Sequence, residues 1–275
     1  MSSVLACITE SPSVRRVVGA ASRCARALGL PARFVHVGAE PTEAAARLGA
    51  VTMGLAGVGV EARRAGGRVD AAILEAIREA SPAMIVMGAV RRENSLRDLI
   101  GSTARRVANR APCSALLVST QGRAAEEWSR FVALVDESPG AAGMAADAVR
   151  IALSGGQEIA PGVDFVMEYR DLSMGGGGST ERVMAAGVAQ RLALFVEGLD
   201  TAGVQVRCAA LPGRAGQEAA RYAEDARADL LCLSAPMRPM GALSRVFSHP
   251  LSLVLDHLPC SLLLHRGVSP EVRRS

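Results

Sequence analysis

One short signature occurs twice in this chain, and it constrains the fold more than any other feature. Thr9-Glu10-Ser11-Pro12 follows the apolar run Val4 to Ile8, and Asp136-Glu137-Ser138-Pro139 follows the apolar run Phe131 to Val135. A second pair closes the same frame: Ala111-Pro112-Cys113-Ser114 and Leu258-Pro259-Cys260-Ser261 each lead into a further apolar run. The two copies are offset by 127 residues at the opening signature and by 147 at the closing one, so the later copy carries insertions. Glycine and proline concentrate at Ser154 to Gly162 and at Asp171 to Thr180, which places the insertions there. Two copies of this size describe tandem domains, not a solenoid. The expected domains are 1–121 and 129–268, joined by the polar segment Gln121 to Arg130.

Within each copy, short apolar runs alternate with stretches of helical period. Val4 to Ile8 reads as a strand, and Ser13 to Leu28 as a helix, because Val17, Val18, Ala21, Ala25 and Leu28 recur on one face and Gly29 stops it. Arg33 to Val37 is the second strand, Glu43 to Leu55 a helix, Gly59 to Ala62 a weak third strand, and Asp70 to Glu79 a helix. In the later copy, Val163 to Tyr169, Val204 to Ala209, Leu230 to Leu233 and Ser261 to Leu264 match strands two to five. Strand–helix alternation of this kind predicts an α/β fold: two tandem doubly wound, mainly parallel five-stranded sheets.

The unit Met84 to Val118 carries the chemistry. A strand, Met84 to Met87, ends at Gly88; an arginine-containing loop follows; Gly101-Ser102-Thr103 opens a helix that stops before Pro112; Ala115 to Val118 is the closing strand. A helix start offers free N–H groups and a partial positive charge, and so suits an anion. This stretch resembles the universal stress protein family, whose nucleotide-binding members carry Gly-x2-Gly-x9-Gly-Ser/Thr between the fourth strand and the last helix. Here the frame reads Gly88, Arg91, Gly101-Ser102, with arginine at the middle glycine.

The resemblance implies a stress-response protein that binds ATP or AMP in its first domain, with or without magnesium, for regulation and not turnover. The implied nucleotide-binding residues are Ile8, Thr9, Val37, Met87, Gly88, Arg91, Gly101, Ser102 and Thr103. Two of them depart from the family. An aspartate normally ends the first strand, where Thr9 stands, which removes an acceptor for the nucleoside. Arg91 adds bulk, and also a guanidinium able to grip phosphate. The later copy has the opposite defect: Asp136 holds the family's aspartate position, but Ser234-Ala235-Pro236-Met237 and Ser248-His249-Pro250 replace the glycines. ATP is not expected there, and Asp136 is expected to cap the following helix or to contact the other domain. The alternative is a protein-interaction scaffold of the same family without nucleotide. Family members commonly pair through their last strands, so Ala115 to Ser119 and Ser261 to His265 are expected to pair within this chain and imitate a homodimer, with a larger homo-oligomer and an unidentified protein partner left open.

The rest of the sequence mainly excludes. All 31 basic residues are arginine, which removes a Schiff-base lysine and a Walker phosphate loop. A net charge of +4 with scattered arginine pairs and no interleaved aromatics argues against nucleic acid. No apolar run approaches the roughly 20 residues of a membrane helix, and the start of the chain lacks a positive segment before its apolar run, so a cytoplasmic protein is expected. The six cysteines form no CxxC pair and are expected to be structural, Cys7 and Cys232 as buried hydrophobes. His249, His257 and His265 are read as surface or interface histidines, not as metal ligands. Gly175 to Gly178 is read as a flexible loop. No GxSxG, HExxH or paired-carboxylate signature points to an active site.

Overall fold

In the computed structural model, residues 2–89, 101–156, 159–170, 178–235, 254–255 and 258–267 are described. The elements follow one another as β1 (Val4–Cys7), α1 (Val14–Leu28), β2 (Ala32–Gly38), α2 (Pro41–Ala56), β3 (Val60–Arg64), α3 (Val69–Ala80), β4 (Met84–Gly88), α4 (Ser102–Arg110) and β5 (Ser114–Val118). A short 3-10 turn (Ala125–Glu127) then leads to β6 (Arg130–Leu134), α5 (Ala141–Leu153), β7 (Gly162–Tyr169), α6 (Gly178–Glu197), β8 (Gln205–Pro212), α7 (Gln217–Asp225), β9 (Leu230–Ser234) and β10 (Ser261–His265). Arg91, Pro236, Met237, His249, Pro250, His257 and most of the glycine run at 175–178 lie outside the described residues.

The ten strands form one sheet in the order β3-β2-β1-β4-β5-β10-β9-β6-β7-β8. Each half is parallel throughout, and the second half repeats the order of the first in reverse. The halves meet at a single antiparallel pair, with Leu262 beside Leu117, Leu263 beside Leu116 and Leu264 beside Ala115. That is the pairing expected of the two closing strands. Both are fully buried, which is why their sequences, SALLV and SLLLH, are nearly continuous apolar runs.

Both faces of the sheet carry cores that cross this seam. On one face α1 packs against α5, and Val18, Ala21 and Cys24 share a cluster with Ala145, Ala148 and Val149. On the other, Ile73, Ile77 and Val107 of the first half share a cluster with Leu255, Leu258 and Leu262 of the second. Small residues on α1 and α5 let the two helices approach closely.

One expectation needs correction, and one element went unread. His265 was expected at a surface or interface; it ends β10, is buried, and its Nδ1 lies 2.9 Å from Asp147 Oδ2 on α5. Helix α6 was not legible in the sequence, because this alanine-rich segment has no clear apolar stripe.

Candidate functional site

In the first half the chain runs outward from β1 to β2 and β3, then crosses back to β4 and β5 on the other side. This makes β1 and β4 the switch point, and ligands of such sheets sit in the crevice outside the strand ends there. Ile8 follows β1, buried, with its N–H donating to Val35 O at 3.0 Å. Thr9 comes next, exposed, and its carbonyl accepts the Ser11 N–H at 2.8 Å. Val37 lies near the end of β2, and Met87 and Gly88 end β4; Val37 and Met87 are buried. Thus Ile8, Thr9, Val37, Met87 and Gly88 gather at one edge.

Gly101, Ser102 and Thr103 begin α4. Unlike α2, α3 and α7, this helix has no acidic residue in its first turn. Its N-cap is Gly101, which brings no side chain to the first N–H groups, and a helix start of this kind suits an anion. Gly101 has φ −56° and ψ 145°, a conformation open to any residue. Gly88 also lacks a positive φ, and a Cβ there would meet Val17 Cγ2 at 3.5 Å, an ordinary contact. Neither glycine is demanded by the backbone, so what each contributes is a missing side chain.

Arginine surrounds the helix start. Arg106 Nη2 donates to Ser102 Oγ at 3.2 Å, while its Nε lies 3.1 Å from the buried Asp70 Oδ2 on α3. Asp70 also accepts from Arg68, whose guanidinium holds its carboxyl below the usual carboxylate range against the opposing effect of burial. Sequence reasoning passed over three further groups at the rim. His36 Nδ1 lies 2.9 Å from Ile8 O and so donates to it. Glu10 accepts two hydrogen bonds from Arg47, through Nε at 2.5 Å and Nη2 at 3.1 Å, which lower its carboxyl pKa. The only signal for Glu10 was its place in the repeated signature beside Glu137.

The matching edge of the second half is built differently. Register places Asp136 where Thr9 stands, Glu168 where Val37 stands, and Ser234 where Gly88 stands. Asp136 Oδ1 accepts from Ser138 N at 3.1 Å and from Ser138 Oγ, so it fastens the turn ahead of α5 and does not cap that helix, whose N-cap is Gly140. Among the described residues no group of three or more histidine, cysteine or carboxylate side chains is placed to hold a metal ion. All six cysteines are free, and Cys208 alone is exposed. No described helix is long and apolar enough to cross a membrane.

A parallel sheet with helices on both faces and a switch point between β1 and β4 has the layout of the doubly wound α/β proteins. Residues 38–119 match the model of the universal stress protein family. Solved structures share the whole fold. A protein assigned to the universal stress proteins from Pseudomonas aeruginosa UCBPP-PA14 superposes with a TM-score of 0.71 at 14% identity, over 97% of this chain and 93% of that chain. A universal stress protein from Archaeoglobus fulgidus DSM 4304 does so with a TM-score of 0.64 at 13% identity, over 96% and 98%. A functionally unknown protein from Pseudomonas aeruginosa PAO1 gives 0.66 at 15% identity, over 97% and 92%. At these identities the likeness is one of fold. No curated protein sequence matches the chain.

Proposed function

We propose that this is a stress-response protein of two tandem domains, 1–121 and 129–268, whose first domain binds ATP or AMP and uses it for regulation. The carrying observation is the pair Gly88 and Gly101. Both have backbone conformations that a larger residue could adopt, and they stand at the end of β4 and at the start of α4. A glycine at each place keeps side-chain bulk away from a helix start, which favours a phosphate-bearing ligand.

In this reading Ile8, Thr9, Val37 and Met87 flank the nucleoside. The N–H groups of Ser102 and Thr103, the Ser102 hydroxyl and Arg106 serve the phosphates. Thr9 offers a hydroxyl where a carboxylate would grip the ribose, so affinity rests on the phosphate end. A magnesium ion would be held mainly by the nucleotide's own oxygens, because the first-half edge offers few carboxylates. Binding in this reading biases conformation or partner choice.

Calorimetric titration of the purified chain with ATP and AMP tests this directly. We expect saturable heat that Gly101→Asp abolishes, because a carboxylate at the helix start repels phosphate. A folded parent protein that gives no heat at about 10 mM nucleotide, weaker than any useful affinity, would sink the nucleotide reading.

A further inference from the structure

We infer that the free sheet edge of the second half, strand β8, is the docking surface for a second copy of this chain, which extends the sheet by pairing its own β8 antiparallel to this one. This goes beyond the nucleotide reading and does not depend on it. β8 ends the ten-strand order and pairs only with β7. Gln205 N–H donates to Pro161 O at 2.8 Å and Gly213 N–H to Tyr169 O at 2.9 Å, so these residues turn their backbone groups inward. Successive residues of a strand turn them to opposite sides, so Val206, Cys208 and Ala210 present theirs outward. Their N–H groups have no partner among the described residues.

An edge with open N–H groups is a template for another strand, and proteins blunt it with short strands and charges. The opposite edge of this sheet is blunted in that way. β3 is five residues long, Glu61 and Arg63 are tied into ion pairs with Arg33 and Glu79, and Arg64 stands beside them. β8 runs for eight residues with Arg207 as its one charge, and its first four residues are exposed.

The edge is complementary to itself, and this decides the occupant. Outward residues must face outward residues, and the two-fold register that pairs all three sets Cys208 opposite Cys208 of the second copy and Val206 opposite Ala210. The same register sets Val204 opposite Pro212. Pro212 has no N–H, and the Val204 N–H already donates to Thr201 O at 3.2 Å, so neither end strands a donor. Arg207 comes to face Ala209, so no like charges stand directly opposite. Helix α6, packed on β7 and β8, suits the same contact. Arg191 ties one flank of it inward to Glu137, and on the other flank Ala186, Ala189 and Ala193 are exposed at helical spacing. The chain already contains such a joint once, where β5 and β10 pair antiparallel while α1 packs on α5. Because β3 is guarded, the contact closes as a dimer and does not propagate as a filament.

Sedimentation velocity of the full chain from about 1 to 100 μM, a range that brackets micromolar affinity, tests this. We expect a monomer–dimer equilibrium with dimer at the upper end. Cys208→Asp sets two carboxylates face to face and should weaken the dimer at least about tenfold. Cys208 is exposed, so this variant should fold, and circular dichroism checks it. Ala62→Asp, the same charge on exposed β3, should leave the dimer intact. So should Gly101→Asp, which removes nucleotide binding, and the two readings therefore fail separately. On the parent protein, alkylation of Cys208 should slow as concentration carries the chain into the dimer. A monomer at about 100 μM, a dimer equally strong in folded Cys208→Asp, a dimer lost in Ala62→Asp, or an alkylation rate indifferent to concentration would each overturn the proposal.

Discussion

Arg23 shows how one side chain can join two halves of a molecule. It lies on α1, is fully buried, and has no carboxylate partner among its hydrogen bonds. Its guanidinium instead donates to four carbonyl oxygens: Ile151 at 2.9 Å, Ala152 at 2.8 Å, Ala125 at 2.5 Å and Trp128 at 3.1 Å. Ile151 and Ala152 are in the last turn of α5, where unpaired carbonyls and the negative end of the helix dipole offset a positive charge. Trp128 and Phe131 present their rings 5.9 and 5.4 Å from the guanidinium carbon. Burial pushes its pKa down to about 10, so it remains charged at neutral pH. Only a planar fork of five donors reaches all four oxygens. Arg23→Met should therefore lower unfolding free energy by about 3 kcal/mol or more, since several buried carbonyls lose their partner. Arg23→Lys should recover less than half of that loss, because its donors radiate from one atom. Denaturant midpoints at neutral pH measure both, and a Met variant as stable as the parent would refute the assignment.

At the scale of elements, periodicity carried the sequence reading where burial is one-sided or complete, and failed elsewhere. Helix α1 was legible because Val17, Val18, Ala21 and Ala25 all face the core. The closing strands were legible because both are buried throughout. In the first-half site, the glycine-framed stretch stood out as a pattern, but Glu10, His36, Arg47 and Arg106 did not. Their roles come from contacts 28 to 37 residues apart, or across helices, that no local spacing encodes. The buried His265–Asp147 pair was hidden for the same reason, its partners being 118 residues apart. Edge strand β8 differs again: its first four residues are exposed, which leaves Cys208 accessible. Cys7, Cys24 and Cys260 are instead pushed up to about 12 by burial, and Cys232 well above its usual value. Cys113 is also buried and raised, to about 11. Alkylation of the native protein at pH 8 should accordingly modify Cys208 first and the other five only on unfolding. Rapid native-state labelling of any second cysteine, read by peptide mass spectrometry, would contradict this burial pattern.

For the whole molecule, the question is whether two repeats of one unit behave as two domains. Each repeat has its own parallel half-sheet, so independent folding is conceivable on topology alone. The contacts across the seam argue otherwise. The β5–β10 pair is reinforced by the Ser119 N–H donating to Ser261 Oγ at 3.1 Å. Arg266 donates to Ala108 O and Cys113 O, Arg105 to Leu255 O at 2.7 Å, and Arg123 holds Asp229 at 2.7 and 3.0 Å. Hydrophobic clusters on both faces run through both halves, so separating the halves would expose α1, α5 and two largely apolar strands to water. The cost of opening the seam should therefore exceed what either half could retain alone, and partial unfolding should not accumulate. Calorimetry of the intact chain should then show one transition, with a calorimetric to van't Hoff enthalpy ratio near about 1. Two resolved transitions would mean that the seam is weaker than either half, and that the repeats are separate folding units that merely share a sheet.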